Sequence, residues 1–567
     1  MPRDTAVVLC NPIGWEGIAA HRALRHLAEQ LAAAGFPVLR FDYPGTGDSS
    51  HADSDPGRLA AWVASIDAAA RLLRELSGRP KLAFIGFHLG ASLAVLAARA
   101  LGGVDTLVLW SPYAKGRVFV REATAYRALN GGDTSFPRAE DNGGLESAGF
   151  LISAETLAEL TALDLLADKT KAAEQILLLE RGEKPTGPAL VSLLEESSQV
   201  ERVAAPGYLD MMQEPRKSVV PTATFATIVQ YLDQKHPLLA LAPQNPSPTR
   251  RPRLELGSAE ASSVEEPITF GQNGQFFGVL SEPASPQTTR EERPVVLFLT
   301  TASHHRIGPN RMWVPMARAL AHLGFTSLRF DLTGTGDTPT VPGIVEGHSY
   351  ASSFVKDVQA AMDHLQRVLG VRRFVTVGLC SGAYLGFHAS LADPRVVGAV
   401  LINPQTFNWR EGDSLEINRK VTFMSTRFYK RAALDPKVWK RAFKGQVNLR
   451  GIGQAMLDRW QKRAEVEVQR AMRRLGKADS SGRVDVGDGF TSLLSRGADI
   501  LMVYSGSDEG LDYLTSEVGT RLGRLKKRER FTLEVIDGPD HTFTQLWAQE
   551  RLTSVILQHI AGRFRKK

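Results

Sequence analysis

The chain of 567 residues holds only two cysteines, Cys10 and Cys380. That excludes a disulfide framework and fits a reducing compartment, so a cytoplasmic protein is expected. Paired-cysteine zinc spacing and His-Glu-x-x-His are missing, and the histidines of "HSYASSF" and "ASHHRIG" lack partners at ligand spacing. No metal site is expected. No apolar run approaches the roughly 18 residues of a spanning helix. The start, "MPRDTAVVLCNPIGW", has too short an apolar run for a signal peptide. Neither a membrane nor a nucleic acid is an expected partner. Excess positive charge is scarce outside one segment. Arg419 to Lys477 carries seventeen Lys and Arg against four Asp and Glu, and the overall net charge of +7 leaves the rest at −6. Such a basic surface suits an acidic partner, or is simply a solvated helical face.

What is present is a repeat. "AAAGFPVLRFDYPGTGDS" (residues 32–49) matches "AHLGFTSLRFDLTGTGDT" (residues 321–338). Each reads as a helix end, a glycine stop, a buried strand and a Gly-Thr-Gly-Asp turn. An apolar strand precedes each, "TAVVLC" and "PVVLFLT", and an amphipathic helix follows. Then come the strand-turn stretches "KLAFIGFHLG" and "RRFVTVGLCSG". From Asp42 to Gly86 is 44 residues and from Asp331 to Gly378 is 47. This order argues for duplication. Strands alternating with helices predict a mostly parallel, doubly wound sheet in each copy. The second copy adds a hairpin, "EPITFGQNGQFFGVLSEP", with Asn273-Gly274 at its turn. The predicted division is a first domain at 1–238, a Pro- and Ser-rich linker at 239–263 and a second domain at 264–567, with a helical lid inserted at about 405–495.

"GLCSG" is a Gly-x-Ser-x-Gly elbow in register with cysteine at its centre, Cys380. Gly378, Gly382 and Ala383 are the small residues that such a turn needs. The helix starting there lowers a thiol pKa. An acid and then a histidine should follow in chain order. "YSGSDEGLD" ends a strand at Asp508, and "IDGPDHTF" ends the next at His541. The expected triad is Cys380, His541 as base and Asp508 as its orienter, with Asp512 and Glu509 as reserves for the acid. The expected oxyanion donors are the N–H of Ser381 and one from Thr301 or Ala302. Ser381 as nucleophile is the weaker alternative, one residue out of register. In the first copy the elbow "GFHLG" centres on His88, and no histidine follows it before His236. A nucleophile-acid-histidine order cannot be assembled there, so His88 marks a degenerate elbow. Glu183 and Lys184 fall at the acid's place. Cys10 is expected to be a core thiol.

These motifs carry a resemblance over nearly the whole chain. Both halves look like α/β-hydrolase domains. "HRIGPNRMWVPMARALAHLGFTSLRFDLTGTGD", "GLCSGAY" and "DHTF" resemble the α/β-hydrolases of exopolysaccharide and natural-product gene clusters, including those associated with the exosortase system. "RFDYPGTGDSS" and "GFHLGASLAVLAARA" look like a second branch of that set. The cysteine elbow is similar to that of α/β-hydrolase-like proteins that shuttle aminoacyl groups between carrier proteins. The resemblance implies an acyltransferase or thioesterase with an acyl-cysteine intermediate. Acyl-CoA or a phosphopantetheinyl thioester would be the substrate, with no resident cofactor. An acidic carrier protein would dock on the basic segment Arg419 to Lys477. The first copy would pack as an intramolecular pseudo-dimer partner. Two other readings stay open: an esterase or amidase acting on small esters or lactones, and a non-catalytic binding scaffold.

Overall fold

A computed structural model of the chain describes residues 1–130, 143–182, 185–239, 253–256, 263–284, 293–410, 413 and 483–564. The basic segment Arg419 to Lys477, and with it the docking surface expected there, lies outside the described residues, as do Glu183 and Lys184.

The first half builds a six-stranded sheet from β1 (Thr5–Cys10), β2 (Val38–Arg40), β3 (Lys81–Phe87) and β4 (Thr106–Trp110). A small antiparallel hairpin, β5 (Leu145–Ser147) with β6 (Phe150–Ile152), stands apart, and β7 (Gln175–Glu180) and β8 (Gln199–Ala204) complete the sheet. Its order is β2-β1-β3-β4-β7-β8, with every neighbouring pair parallel. Alternation along β1 serves both faces. Ala6, Val8 and Cys10 join the cluster under the helices Arg58–Ser77 and Leu89–Leu101, whereas Val7 and Leu9 join the one under Trp15–Ala33 and Thr222–Lys235. Cys10 is thus a buried core thiol, its pKa pushed far up by burial.

The second half builds nine strands: β9 (Leu254–Leu256), β10 (Ser263–Phe270), β11 (Phe276–Pro283), β12 (Val295–Phe298), β13 (Ser327–Phe330), β14 (Phe374–Leu379), β15 (Val396–Ile402), β16 (Asp499–Ser505) and β17 (Phe531–Ile536). The order is β17-β16-β15-β14-β12-β13-β11-β10-β9, parallel except where β9, β10 and β11 join. The hairpin expected at Asn273-Gly274 is β10–β11, with Gly274 at φ 66°. Two expected boundaries move. Leu254–Leu256, expected in the linker, pairs with Ser263–Glu265 as an edge strand. The helix Val486–Ser495, expected as the end of the lid, buries Val486, Phe490 and Leu493 in the domain core, because its apolar face matches the β15–β16 side of the sheet.

The two domains meet at their repeated turns. In each copy the first Asp closes the turn by accepting the N–H of the last: Asp42 from Asp48 and Asp331 from Asp337, both at 2.9 Å. Gly47 and Gly336 have positive φ, and a Cβ there would lie 2.0 and 2.3 Å from the Asp42 and Asp331 carboxyl carbons. Only glycine fits. The last Asp of each turn then receives an arginine from the other copy. Arg40 pairs with Asp337, and its counterpart Arg329 pairs with Asp48. Arg306 sits between, 2.7 Å from Asp48, 2.7 Å from Asp331 and 2.9 Å from Asp337. Nearby, the rings of His21 and His305 stack at 3.8 Å, and Ile18, Ile307 and Val314 form an apolar cluster across the seam.

Candidate active site

Both elbows have the same backbone. His88 stands at φ 54°, ψ −116° and Cys380 at φ 56°, ψ −111°, each capping the helix that follows its strand. Positive φ costs a non-glycine residue about 1–3 kcal/mol and persists where packing holds it. Gly378 is needed because a Cβ there would lie 2.3 Å from the backbone of Gly382. Gly86 meets the same obstacle 2.4 Å away at Ala91.

At the second elbow, β14 delivers Cys380, β16 delivers Asp508 and β17 delivers His541. His541 Nδ1 and Asp508 Oδ2 lie 2.5 Å apart, which fixes the ring orientation. The other oxygen of Asp508 accepts the Gly510 N–H at 2.7 Å. His541 Nε2 is buried and makes no conventional hydrogen bond among the described residues. The imidazole and the Cys380 thiol nevertheless act on each other's ionisation. Burial pushes the Cys380 thiol up, but the imidazolium, its proton and the Tyr350 hydroxyl together outweigh burial and hold the thiol below its ordinary value. Burial likewise pushes His541 down. The Cys380 thiolate and the bond to Asp508 outweigh it and hold the imidazole above its ordinary value. Both directions favour a thiolate-imidazolium pair. Of the two reserve acids, Glu509 caps the next helix, Gly510–Val518, and Asp512 lies in its first turn, while the bond to His541 is made by Asp508.

Of the expected oxyanion donors, Ser381 opens the elbow helix, and Thr301 and Ala302 follow β12. The Ala302 N–H is engaged, donating to Ser381 Oγ at 2.7 Å. That bond ties the elbow to the β12 loop and gives the Ser381 hydroxyl a structural role.

Three partners escaped sequence reasoning. The Tyr350 hydroxyl lies 3.6 Å from Cys380 Sγ. Its ring stacks on Trp409 at 4.4 Å and packs edge-on against Tyr384, so one wall of the site is aromatic. Asn403, at the end of β15, donates to His541 O at 2.7 Å and accepts from Ser505 N at 2.9 Å, locking the base loop to the acid's strand. Gln405 Nε2 lies 3.4 Å from His541 Nδ1. Asn403 was readable in principle, as a polar residue closing the apolar run "VVGAVLIN".

The first elbow is built differently. His88 Nδ1 lies 2.8 Å from Glu16, and Arg181 donates to its Nε2 at 3.2 Å. The Tyr113 hydroxyl lies 3.1 Å from Nδ1 and donates to Glu122 at 2.8 Å. Tyr208, following β8 as His541 follows β17, sets its ring 4.9 Å from His88. A tyrosine thus stands where a base would. Among the described residues no group of three or more His, Cys, Asp or Glu is arranged to hold a metal ion. No described helix is long and apolar enough to cross a membrane.

Two mostly parallel sheets, each with a strand-elbow-helix nucleophile position, define a tandem α/β-hydrolase fold. Comparison with known families agrees. Residues 296–551 match the model described as "Alpha/beta hydrolase family", and residues 6–172 the one described as "Serine aminopeptidase, S33". The chain therefore carries two α/β-hydrolase family domains in tandem. Similar solved structures include an esterase of Pyrococcus furiosus (12% identity, 58% of this chain and 97% of that one, TM-score 0.31). Others are the proline iminopeptidase of Mycobacterium smegmatis (15%, 53% and 98%, 0.32) and the protein Est1E of Butyrivibrio proteoclasticus (15%, 53% and 99%, 0.32). No curated protein matches the chain.

Proposed function

We propose that the second domain is an acyl-transfer enzyme that works through an acyl-Cys380 thioester. The observation that supports this most is the placement of Cys380 on a strained elbow beside an imidazole, His541, that Asp508 holds at 2.5 Å. The Cys380 thiolate attacks the acyl carbonyl carbon. The oxyanion is held by the Ser381 N–H at the helix start and by the Ala302 N–H, taken over from the Ser381 hydroxyl. As the tetrahedral intermediate collapses, the bond to the leaving thiolate, alkoxide or amine breaks and His541 supplies its proton. An acceptor then loses a proton to His541, attacks the acyl-cysteine and releases Cys380 as thiolate. Asp508 holds the imidazole in the productive tautomer throughout.

A cysteine nucleophile exchanges acyl groups with thioesters at nearly equal energy. CoA or a phosphopantetheinyl carrier is therefore the proposed donor, with no resident cofactor, and the basic segment Arg419 to Lys477 suits an acidic donor. The site is proposed to work in the cytoplasm. A second reading, hydrolysis of small esters, rests on the match to the α/β-hydrolase family and on the likeness of its members' catalytic order. One experiment separates the two. The protein is incubated with acetyl-, octanoyl- and benzoyl-CoA and followed by intact-mass spectrometry and acyl-acceptor assay. An adduct on Cys380 that passes to an added thiol or amine supports transfer. Free acid as the sole product in the presence of acceptors supports hydrolysis. No adduct, together with full turnover by Cys380→Ala, would refute both.

A further inference from the structure

The first domain contains a cavity of about 360 Å³ above its own elbow. Its walls are largely apolar, with Ile13, Trp15, Trp62, Phe119, Phe150 and Ile152 among them, and its polar end is the His88 cluster. Pockets of this size and character ordinarily hold a small molecule, oriented by a few polar groups.

The charges along the wall bear on which head group fits. The acids are engaged: Glu16 by His88 and Tyr208, Glu122 by Tyr113, Asp53 by Arg58, and Asp42 by the N–H of Asp48. Three of the guanidiniums are engaged too. Arg58 pairs with Asp53, Arg40 pairs with Asp337, and Arg311 donates to the carbonyls of Gly47 and Ser49. Arg181 differs. Among the described residues its hydrogen-bond acceptor is the His88 ring nitrogen, and no carboxylate lies within ion-pair distance. Its guanidinium stacks on Tyr208 at 4.5 Å, which holds its plane in place. Because Arg181 donates to Nε2, the His88 proton sits on Nδ1 and is directed at Glu16. The histidine therefore positions Arg181 rather than competing with it for an anion. A planar guanidinium with donors to spare is suited to a carboxylate.

We propose that the first domain is a binding site for a small monocarboxylate with an apolar body, aliphatic or aryl, its carboxylate on Arg181 and its body between Trp15, Trp62 and Phe150. This assignment does not depend on the function proposed for Cys380. The same cavity is lined from the second domain by His305, Ile307 and Arg311, on the loop that continues from Thr301 and Ala302. A ligand here would touch both domains.

The test is calorimetric titration of the full chain, with Cys380 first alkylated by iodoacetamide so that binding at the second elbow is suppressed. The probes are octanoate and 4-phenylbutyrate, with octylammonium and 1-octanol as charge controls. The expected result is one saturable site for at least one carboxylate, weakened about tenfold or more by Arg181→Met and not matched by either control. Ala123→Phe, which fills the cavity from its wall while leaving Arg181 in place, should abolish binding at an unchanged melting temperature. The proposal is overturned by no saturable binding of either carboxylate. It is equally overturned if octanol or octylammonium binds within threefold of octanoate, or if a folded Arg181→Met protein binds the carboxylate within threefold of the parent.

Discussion

The two elbows share a backbone and differ in everything that faces it. Cys380 and His88 have φ and ψ within a few degrees of each other. Around Cys380 two strand ends place a carboxylate and an imidazole, and the loop before the helix Phe354–Leu369 adds a phenol, so that each stabilises charge on the next. Around His88 the corresponding strand ends place Arg181 and Tyr208, while Glu16 reaches in from the first turn of the helix Trp15–Ala33. The turn is thus kept for a steric reason, the close approach of the elbow helix to its strand. The chemistry is set by three or four side chains at strand termini, which can change without disturbing the sheet.

The largest expected difference between the elbows is in turnover. Cys380→Ala should lower kcat/KM by roughly 10³-fold or more with a thioester substrate. His88→Ala should stay within about threefold of the parent. A His88→Ala protein as impaired as Cys380→Ala would make the first elbow part of the chemistry and remove the contrast between the two.

The seam between the domains comes next. Arg306 pairs with the buried Asp331 and the half-buried Asp48 and Asp337, and removing one partner of a buried ionic cluster typically costs about 3–5 kcal/mol. Arg306→Met should lower the melting temperature by several degrees at pH 8. The sign of the pH effect follows from Asp331, which burial and its carboxylate neighbour Asp337 already hold up at about 6 despite Arg306. A carboxyl raised in the folded state binds more protons folded than unfolded between its two pKa values, so it favours the fold as pH falls through that window. Without Arg306 the effect grows, and the deficit should narrow between pH 8 and pH 5. A deficit that widens on acidification would show that Arg306 acts through packing and not through these carboxylates.

Much of this was legible in the sequence, and the parts that were not share a cause. The duplicated order of strand, turn, helix and elbow announces two α/β-hydrolase domains, and the fold bears that out. Cys380, Asp508 and His541 could be chosen because each ends or follows an apolar strand at a spacing that chain order constrains. Tyr350 sits in a loop, Arg181 directly after β7 and Glu16 in the first turn of the helix Trp15–Ala33, and no spacing rule says that these positions face an elbow. The exchange of Arg40 and Arg329 between the turns is invisible for the same reason: identical motifs do not say which copy their side chains serve. Leu254–Leu256 was hidden by its surroundings, three strand-forming residues inside a stretch of linker composition.

Alkylation of Cys380 sharpens the comparison at finer grain. The thiolate form is favoured by His541, so iodoacetamide should label the parent readily at pH 7 and more slowly as pH falls. His541→Ala should cut the rate at pH 7 on the order of 100-fold and move the rising limb of the profile to higher pH, since burial of the thiol is then opposed chiefly by the weaker Tyr350 hydroxyl. Retained labelling at pH 7 in that variant would transfer the activation to the helix terminus alone.

The smallest expected effect concerns the one group the two elbows hold in common, a tyrosine hydroxyl against the central residue. Tyr350 reaches Cys380 at 3.6 Å, and Tyr113 reaches His88 at 3.1 Å. Tyr350→Phe removes a donor that helps to lower the thiol pKa, so labelling at pH 7 should slow by about two- to fivefold, far less than in His541→Ala. Tyr113→Phe should leave labelling of Cys380 unchanged and instead weaken carboxylate binding in the first domain, because the Tyr113 hydroxyl helps to position the His88 ring that holds Arg181. If both variants slowed labelling equally, the hydroxyls would be acting through the stability of the shared seam. The two elbows would then have to be treated as one coupled unit.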